Sequence, residues 1–460
     1  MNRQAFTEKL LERAGRAGFD AAEVFVSEAD EFETSVDRGE IIKYGASDSF
    51  NLGFRALLDG KSGCATTQVM DEDAIDMLIH AAMEGAQMSE SPDPEFLYAG
   101  SDAYPKAPAP SAEIEALTPR DKIEMARDLE RMALAADPRV ASCGYCGVET
   151  RDVRTHLVNT LGLNVSSHRR AIGAYVEPIA REGDATGASG GEALTADARG
   201  LDLAAMARNS AREACDFLNA APVQSGGYPV LLRGDMAAAI LGTFAGVFSA
   251  DTAQKGFSLL AGREGEQIAA PCVTLTDDPF RADRFYSRAF DAEGVCARRK
   301  HLIENGTLNT LMHNLKTARK QGVESTGNAV RASAAGPISV SASNLLIQPG
   351  AYAREKLIAA QDRALLITDL MGMHSGANAV SGDFSLGAKG YLIEGGEIVR
   401  TVNQITIAGN FFELLKNVDA VCDDLYFGMA RYGSPTIRIR ELSVAGKELF
   451  TEMSNLHAAS

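Results

Sequence analysis

Residues 236–250 read MAAAILGTFAGVFSA, a run without a charged residue, histidine, cysteine or proline. Asp235 and Asp251 border the run on its two sides. Its alanine, leucine and phenylalanine content predicts one buried helix. The run is too short to cross a bilayer, which requires about 20 apolar residues. It therefore predicts a helix inside a globular domain in the second half of the chain.

The first part of the chain, residues 1–220, predicts an α/β region with an antiparallel meander. Residues 22–67 contain five short strand-like stretches, with turn residues at 37–39 and 59–60. The segment 89–118 carries five prolines and predicts an extended surface crossing. The next helix begins at Thr118-Pro119, because threonine caps a helix and proline suits its first turn.

The second part, residues 225–460, predicts a β-rich domain that carries the buried helix. Two similar hairpins are expected there, at 302–308 and 392–398. Their central dipeptides, Asn305-Gly306 and Gly395-Gly396, suit the positive φ angles that two-residue turns require. The predicted fold class is therefore α+β.

Composition and charge limit the classes of function. The chain has 460 residues, of which 45% are apolar and 23% charged, and these values are typical of a globular protein. Its net charge of −17 disfavours direct nucleic-acid binding. Two short basic clusters, at 168–170 and 297–300, are interpreted as solvated strand ends. Nothing near the N-terminus resembles a signal peptide, so we expect a soluble cytoplasmic protein without a membrane partner.

The seven cysteines are odd in number and scattered, which argues against a disulfide framework. Only Cys143 and Cys146 have the spacing of a redox or metal-binding pair. Their surroundings predict a strand, on which positions three apart point to opposite faces. We therefore expect the two sulfurs to diverge and to have structural roles.

Familiar catalytic motifs are missing from the sequence. It contains no HExxH, no phosphate-binding loop, and no two histidines four or five residues apart. One GxSxG match, residues 187–191, lies in a glycine-rich stretch that predicts a flexible loop rather than a nucleophile elbow.

The cluster 371–378, with two methionines and His374, could suit a soft metal. The favoured interpretation is that a methionine fills a gap in the core and that His374 forms a hydrogen bond within its loop.

Carboxylates in the C-terminal half are further candidates for acid–base chemistry. Asp369, Asp383 and the Asp291/Glu293 pair could supply them. Asp383 and the Asp291/Glu293 pair occur in turn-like strings, where an aspartate most often bonds its own backbone. The candidate cleft residues are Asp291, Glu293, Asn328, His374 and Asp383.

Several strings in the C-terminal half resemble the TldD/PmbA family, whose members are called modulators of DNA gyrase and classed as metallopeptidases. The strings occur in the family's order, and the resemblance spans roughly residues 20–445, more loosely in the N-terminal half. They are Phe290-Asp-Ala-Glu-Gly-Val295, Ser325-Thr-Gly-Asn-Ala329, Ser381-Gly-Asp-Phe-Ser-Leu-Gly387, Gly390-Tyr-Leu-Ile-Glu394 and Ile405-Thr-Ile-Ala-Gly-Asn410.

The resemblance implies that this chain belongs to the branch without zinc ligands. TldD-like members carry HExxxH on a helix and a later cysteine ligand, whereas PmbA-like (TldE-like) members lack them. Alignment of the flanks places the two histidine positions near Leu241 and Gly246, and neither residue can bind zinc. The resemblance therefore implies no catalytic or metal-binding residue and no cofactor in this chain, with zinc only in a TldD-like partner.

The function implied is that of a metal-free subunit in cytosolic proteolysis of unfolded or extended peptides. Such a subunit would complete the cleft of a TldD-like catalytic partner, or would pair with itself as a homodimer. Two alternatives stay open: an independent homodimeric hydrolase with an unrecognised site, and a non-catalytic peptide-binding protein.

Overall fold

The computed structural model describes residues 1–447, so residues 448–460 of the predicted second domain, with His457, lie outside the described residues. The helices are α1 Arg3–Arg16, α2 Glu72–Met88, α3 Ala112–Glu115, α4 Pro119–Ala136, α5 Leu203–Asp216, α6 Gly234–Phe244, α7 Ala250–Gln254, α8 Leu315–Gln321, α9 Arg354–Ala359, α10 Met373–Gly376 and α11 Phe411–Asn417.

The strands of the N-terminal half are β1 Ala21–Asp37, β2 Glu40–Leu58, β3 Lys61–Thr67, β4 Val140–Asn159, β5 Asn164–Glu182, β6 Ala185–Ala188 and β7 Gly191–Thr195. Those of the C-terminal half are β8 Gly226–Leu232, β9 Leu275–Asp277, β10 Lys300–Glu304, β11 Thr307–Leu308, β12 Ala329–Arg331, β13 Ile338–Val340, β14 Leu345–Ile347, β15 Arg363–Met371, β16 Asp383–Glu394, β17 Glu397–Asn410, β18 Val418–Val421, β19 Tyr426–Phe427, β20 Tyr432–Ser434 and β21 Ile437–Ala445. This mixture of helices and antiparallel sheets confirms the predicted α+β class.

The N-terminal half forms one antiparallel sheet in the order β3-β2-β1-β4-β5-β6, with β7 also paired to β5. The predicted division of residues 22–67 into five short strands is wrong, because β1, β2 and β3 are three continuous strands. The predicted turns are correct: Arg38 and Asp59 have φ angles of 53° and 52°, and each precedes a glycine with positive φ. The polar stretches in mid-strand pair with each other, so the chain does not reverse there.

Helices α1, α2, α4 and α5 pack on one face of this sheet. Phe6 and Leu10 of α1 and Ile75 and Leu78 of α2 are fully buried against β1–β3. Helix α4 packs on β4 and begins as predicted, because the Thr118 side chain accepts a hydrogen bond from the N–H of Asp121. The opposite face of the sheet, which carries Glu23 and Phe25, packs against the C-terminal half.

The C-terminal half is built around a barrel. Strands β17, β16, β15, β8 and β21 pair in that order, and additional pairing between β17 and β21 closes the ring. A second sheet, β11-β10-β9-β14-β20-β19, lies beside it. One apolar core includes residues of both sheets and of α6. The two predicted hairpins are confirmed as β10–β11 and β16–β17.

The run 236–250 is buried as predicted, but it is not one helix. Helix α6 ends at Phe244, a 3-10 turn spans 245–248, and α7 starts after Ser249. The Ser249 side chain caps α7, and the carbonyl of Phe248 accepts a hydrogen bond from Met312, so the chain turns away from the helix axis here. Within residues 1–447 no helix has the length and apolar character needed to span a membrane.

Candidate functional site

The largest described cavity is a cleft of about 1110 Å³ between the face of the N-terminal sheet and helix α6. Side chains of β1, β2, β4 and β5 form one wall. Helix α6, the end of β15 and the segment 426–432 form the other. The charged and aromatic residues of the lining are Glu33, Lys43, Tyr145, Tyr175, Glu177, Glu192, Arg233, Asp235, Asp369, Tyr426 and Tyr432.

Helix α6 presents small side chains to this cleft. Met236, Ala239 and Gly242 lie along its exposed side. A Cβ atom on Gly242 would lie 2.7 Å from the ring of Tyr432, so glycine allows the helix and β20 to approach closely. Of the two positions aligned with zinc ligands, Leu241 is buried in the core and Gly246 is exposed in the 3-10 turn. Neither lines the cleft.

Ion pairs fix the end of the cleft near the start of α6. The guanidinium of Arg233 lies 2.6 Å from Asp235 and 2.8 Å from Glu213 of α5. It also donates to the carbonyl of Thr368 at 2.9 Å. Lys389 pairs with Asp369 at 3.0 Å. These carboxylates are therefore already neutralised by protein cations.

The sheet side of the cleft contains a tyrosine with a shifted pKa. Tyr175 donates to Glu33 at 3.4 Å, and burial together with that carboxylate raises the pKa of Tyr175 to about 12. Its phenol is therefore a hydrogen-bond donor at neutral pH, and not a base.

The donors of this cleft do not fit zinc. The metal is held by cysteine, histidine and carboxylate ligands, usually three from the protein at a catalytic site. The α6 wall supplies a thioether, methyl groups and glycine, and Asp235 is bound to Arg233. Among residues 1–447 no three histidine, cysteine or acidic side chains converge in a way that could hold a metal ion.

Three of the predicted site residues lie in a buried network away from this cleft. Asp291 accepts backbone hydrogen bonds from Glu293, Val295 and Ala329 at 2.9–3.0 Å. The Asn328 amide donates to Asp277 at 2.7 Å. The backbone bonding of Asp291 agrees with the turn-like interpretation of its sequence.

Glu293 lines a second cavity, of about 550 Å³, between the two halves of the chain. Its Oε2 accepts a 2.8 Å hydrogen bond from the backbone N–H of Leu315, at the start of α8. Burial and the nearby Asp291 carboxylate raise the pKa of Glu293 to about 8. The side chain therefore holds a proton at neutral pH and caps a helix.

The other two predicted residues lie on the barrel. His374, in α10, is exposed and forms no hydrogen bond to the described residues, so the expected bond within its loop is wrong. Asp383 is also exposed and accepts a 2.8 Å bond from Asn410, which lowers the pKa of the carboxyl. Met373 packs against the core as predicted, whereas Met371 is about half exposed.

The interpretation of the CxxC sequence needs a correction. Cys143 and Cys146 both point into the same apolar core, because the pairing register of β4 shifts between them. Burial raises the pKa of both thiols, to about 12 for Cys143. The expected divergence is wrong, but the structural role agrees with this burial.

Two loop or surface interpretations are also wrong. Residues 187–191 are not a free loop, because they join β6 to β7 and Ser189 is buried. The cluster 168–170 lies within β5, and Arg170 is a buried partner of Asp152. No motif in the sequence pointed to Arg233, Tyr175 or Tyr426 as residues of the cleft. Of these three, only Arg233 is marked by its position, because it lies three residues before the uncharged run.

Comparison with known proteins identifies the class. Residues 22–86, 112–218 and 225–446 match, respectively, PmbA/TldA metallopeptidase domain 1, the central domain and the C-terminal domain. These matches assign the fold and its cleft to a class of metallopeptidase-related proteins.

Similar full-length proteins give the family. The chain is 28% identical to the metalloprotease PmbA homologue of Haemophilus influenzae (92% of this chain, 90% of that one) and 26% identical to metalloprotease PmbA of Escherichia coli O157:H7 (93% of both). A crystal structure from Thermotoga maritima, described as a proposed modulator of a DNA gyrase, has a TM-score of 0.90 at 32% identity and covers 96% of this chain and 100% of that one. TldE from Thermococcus kodakarensis has a TM-score of 0.87 at 25% identity with the same coverage. The chain belongs to the TldD/PmbA family.

Proposed function

We propose that this chain is the peptide-binding, metal-free subunit of a TldD/PmbA-type metallopeptidase system in the cytoplasm. It holds unfolded or extended peptides in the cleft beside α6. The zinc and the hydrolytic water belong to a TldD-like partner, whose cleft this chain completes. A second copy of the same chain would add no zinc ligand on α6, so a paralogue is the preferred partner.

The chemistry of the α6 wall carries this proposal. Met236, Ala239 and Gly242 leave space beside the helix and offer no group that could activate water. The absence of HExxxH from the sequence agrees with such a role. A cleft with room for substrate but without zinc donors fits binding better than catalysis.

The size and the walls of the cleft support an extended peptide as ligand. Its volume of about 1110 Å³ exceeds the upper range for drug-sized ligands, about 1,000 Å³. Tyr145 and Tyr175 provide aromatic surface with a polar end, which suits contacts that depend little on sequence. Peptides without regular structure would therefore bind with broad specificity.

Peptide binding is tested by filling the cleft. Ala239→Leu adds three carbon atoms to the α6 wall, and we expect it to weaken binding of a fluorescent unstructured peptide at least tenfold. Ala81→Leu is the matched control, since Ala81 is a half-buried position on α2 outside every described cavity. Equal affinities of the two variants would exclude the cleft as the peptide site.

The division of labour is tested separately. Purified chain should contain no stoichiometric zinc by elemental analysis and should cleave a denatured protein only when mixed with a TldD-like paralogue. Hydrolysis by the chain alone, with zinc bound, would overturn the proposal that it lacks metal. Binding of peptide without any effect on the paralogue would overturn the subunit role.

A further inference from the structure

Four arginines lie where the N-terminal sheet meets the loop 279–289 and the start of β20. They are Arg169 of β5, Arg284 and Arg288 of the loop, and Arg431. None forms an ion pair with a described carboxylate, although the chain has 62 acidic and only 45 basic residues. Unpaired guanidiniums away from water are costly, because arginine cannot lose its proton to become neutral.

The loop arginines keep unsatisfied donors. The Nε atoms of Arg281, Arg284 and Arg288 are buried and have no hydrogen-bond partner among the described residues. Arg284 is itself 5% exposed, and its other nitrogens donate to carbonyls of residues 194, 428 and 430. Because nearly all buried donors in proteins are paired, the unpaired Nε of Arg288 indicates a missing acceptor beside this arginine.

Arg288 and Arg431 share a contact with Ser341, and Arg169 is linked to Arg431 through the rings of Phe285 and Tyr286, whose centroids are 5.4 Å apart. Arg288 and Arg431 both contact Ser341, each at 3.4 Å, through its carbonyl and its hydroxyl respectively. The Arg431 guanidinium lies 4.3 Å from the ring of Tyr286.

Of these four arginines, Arg169 has the fewest side-chain partners. Its guanidinium stacks 5.0 Å from the ring of Phe285, and its side chain forms no hydrogen bond to residues 1–447. Burial and the charges of Arg288 and Arg431 lower the pKa of Arg169 to about 10. Arg169, Arg288 and Arg431 are each partly exposed at the level of the whole residue.

We propose that Arg169, Arg288 and Arg431 form an oxyanion-binding site on the side of segment 430–432 opposite the peptide cleft. The ligand is a phosphate or carboxylate group, because planar guanidiniums bind both through paired N–H donors. The guanidinium of Arg169 can direct two parallel N–H donors at the ligand. Arg288 and Arg431 already use part of their donors on backbone carbonyls. This site is independent of the function proposed for the cleft.

The test uses the full chain and inorganic phosphate. Isothermal titration and thermal unfolding are measured at constant ionic strength, with sodium chloride replacing phosphate. We expect saturable binding and a rise in the unfolding temperature with phosphate concentration. Arg169→Gln should weaken binding at least tenfold, and Arg169→Lys should have an intermediate effect because the charge remains but the two parallel N–H donors are lost.

Arg181→Gln provides the matched control, since Arg181 is an exposed arginine on the same strand and forms no ion pair with residues 1–447. Circular dichroism verifies that each variant is folded, and Arg169→Lys replaces Arg169→Gln if the latter is not. A tripeptide with a free C-terminus, compared with its amide, distinguishes a peptide carboxylate from free phosphate as the source of the anion. No binding of either anion, or equal binding by the Arg169 and Arg181 variants, would overturn the site.

Discussion

The guanidinium of Arg331 in β12 donates to the carboxylate of Glu23 in β1, and this ion pair joins the two halves of the chain. Both side chains are at most 3% exposed. Arg55 donates to the same carboxylate at 3.0 Å. Although burial opposes ionisation, the two guanidiniums lower the pKa of Glu23. Glu23 is therefore a charged anchor beneath the second cavity.

Removal of this ion pair should be costly. Arg331→Met leaves the buried Glu23 carboxylate with Arg55 as its one remaining counter-ion among the described residues. The expected loss in free energy of unfolding is about 3–5 kcal/mol, measured by urea denaturation. Arg199→Ala, which breaks an exposed pair with Asp197, should cause only a small loss, because solvent screens exposed ion pairs. A loss of that small size in Arg331→Met would contradict the anchoring role.

Glu293 should make stability depend on pH. Its folded-state pKa of about 8 lies above the ordinary value of 4.5, so the folded state binds more protons between these two values. Stability from this group is therefore complete at low pH and is lost as the pH rises from about 4.5 to about 8.

Glu293→Gln keeps the shape of the side chain without its titration. The free energy of unfolding of Glu293→Gln, relative to wild type, should increase as the pH is raised through that window. Glu397→Gln changes an exposed position on β17 that forms no ion pair within the described part of the chain, and it should show a difference that does not change with pH. If the difference in free energy of unfolding between Glu293→Gln and wild type is also independent of pH, Glu293 does not hold a proton in the folded state at neutral pH.

Local structure was more predictable from sequence than the site. The capping pair Thr118 and Asp121 and the turn at Asn305-Gly306 depend on neighbouring residues, so the sequence is sufficient to predict them. The lengths of β1 and β2 depend on pairing with each other, and the polar residues at 30–31 and 47–49 alone suggested breaks. The chain therefore formed fewer and longer strands than predicted.

The cleft could not be predicted because its walls are far apart in sequence. Tyr175 and Glu33 are separated by 142 residues, and Met236 lies on the opposite wall. Asp291 and Glu293 attracted attention as carboxylates in a recognisable string, yet their neighbours are backbone N–H groups and a helix start. The short sequence strings were sufficient to identify the family, but they did not show which of their residues are exposed to solvent.

Cysteine reactivity should follow burial and not the CxxC spacing. Cys64 and Cys272 are exposed, whereas Cys143 and Cys146 are buried with raised thiol pKa values. The pKa values of Cys64 and Cys272 are raised as well, so the difference between the pairs is exposure. In native protein a thiol reagent should modify Cys64 and Cys272 first, and mass spectrometry of the labelled peptides checks the order. Prior labelling of the 143/146 pair would show that this part of β4 opens. Denatured protein serves as the control, in which all sites should react.

Gly242 and Gly246, in the C-terminal half of the uncharged run, differ in the space around them. A Cβ atom on Gly242 would lie 2.7 Å from the Tyr432 ring, whereas one on Gly246 would meet nothing within 4 Å. Gly242→Ala should therefore lower the free energy of unfolding by about 1–3 kcal/mol, since the ring must move. Gly246→Ala should be neutral or stabilise by up to about 1 kcal/mol, because alanine reduces the freedom of the unfolded chain. Urea unfolding of the two variants gives the comparison. A larger loss at Gly246 than at Gly242 would mean that the 3-10 turn, and not the contact with β20, requires glycine.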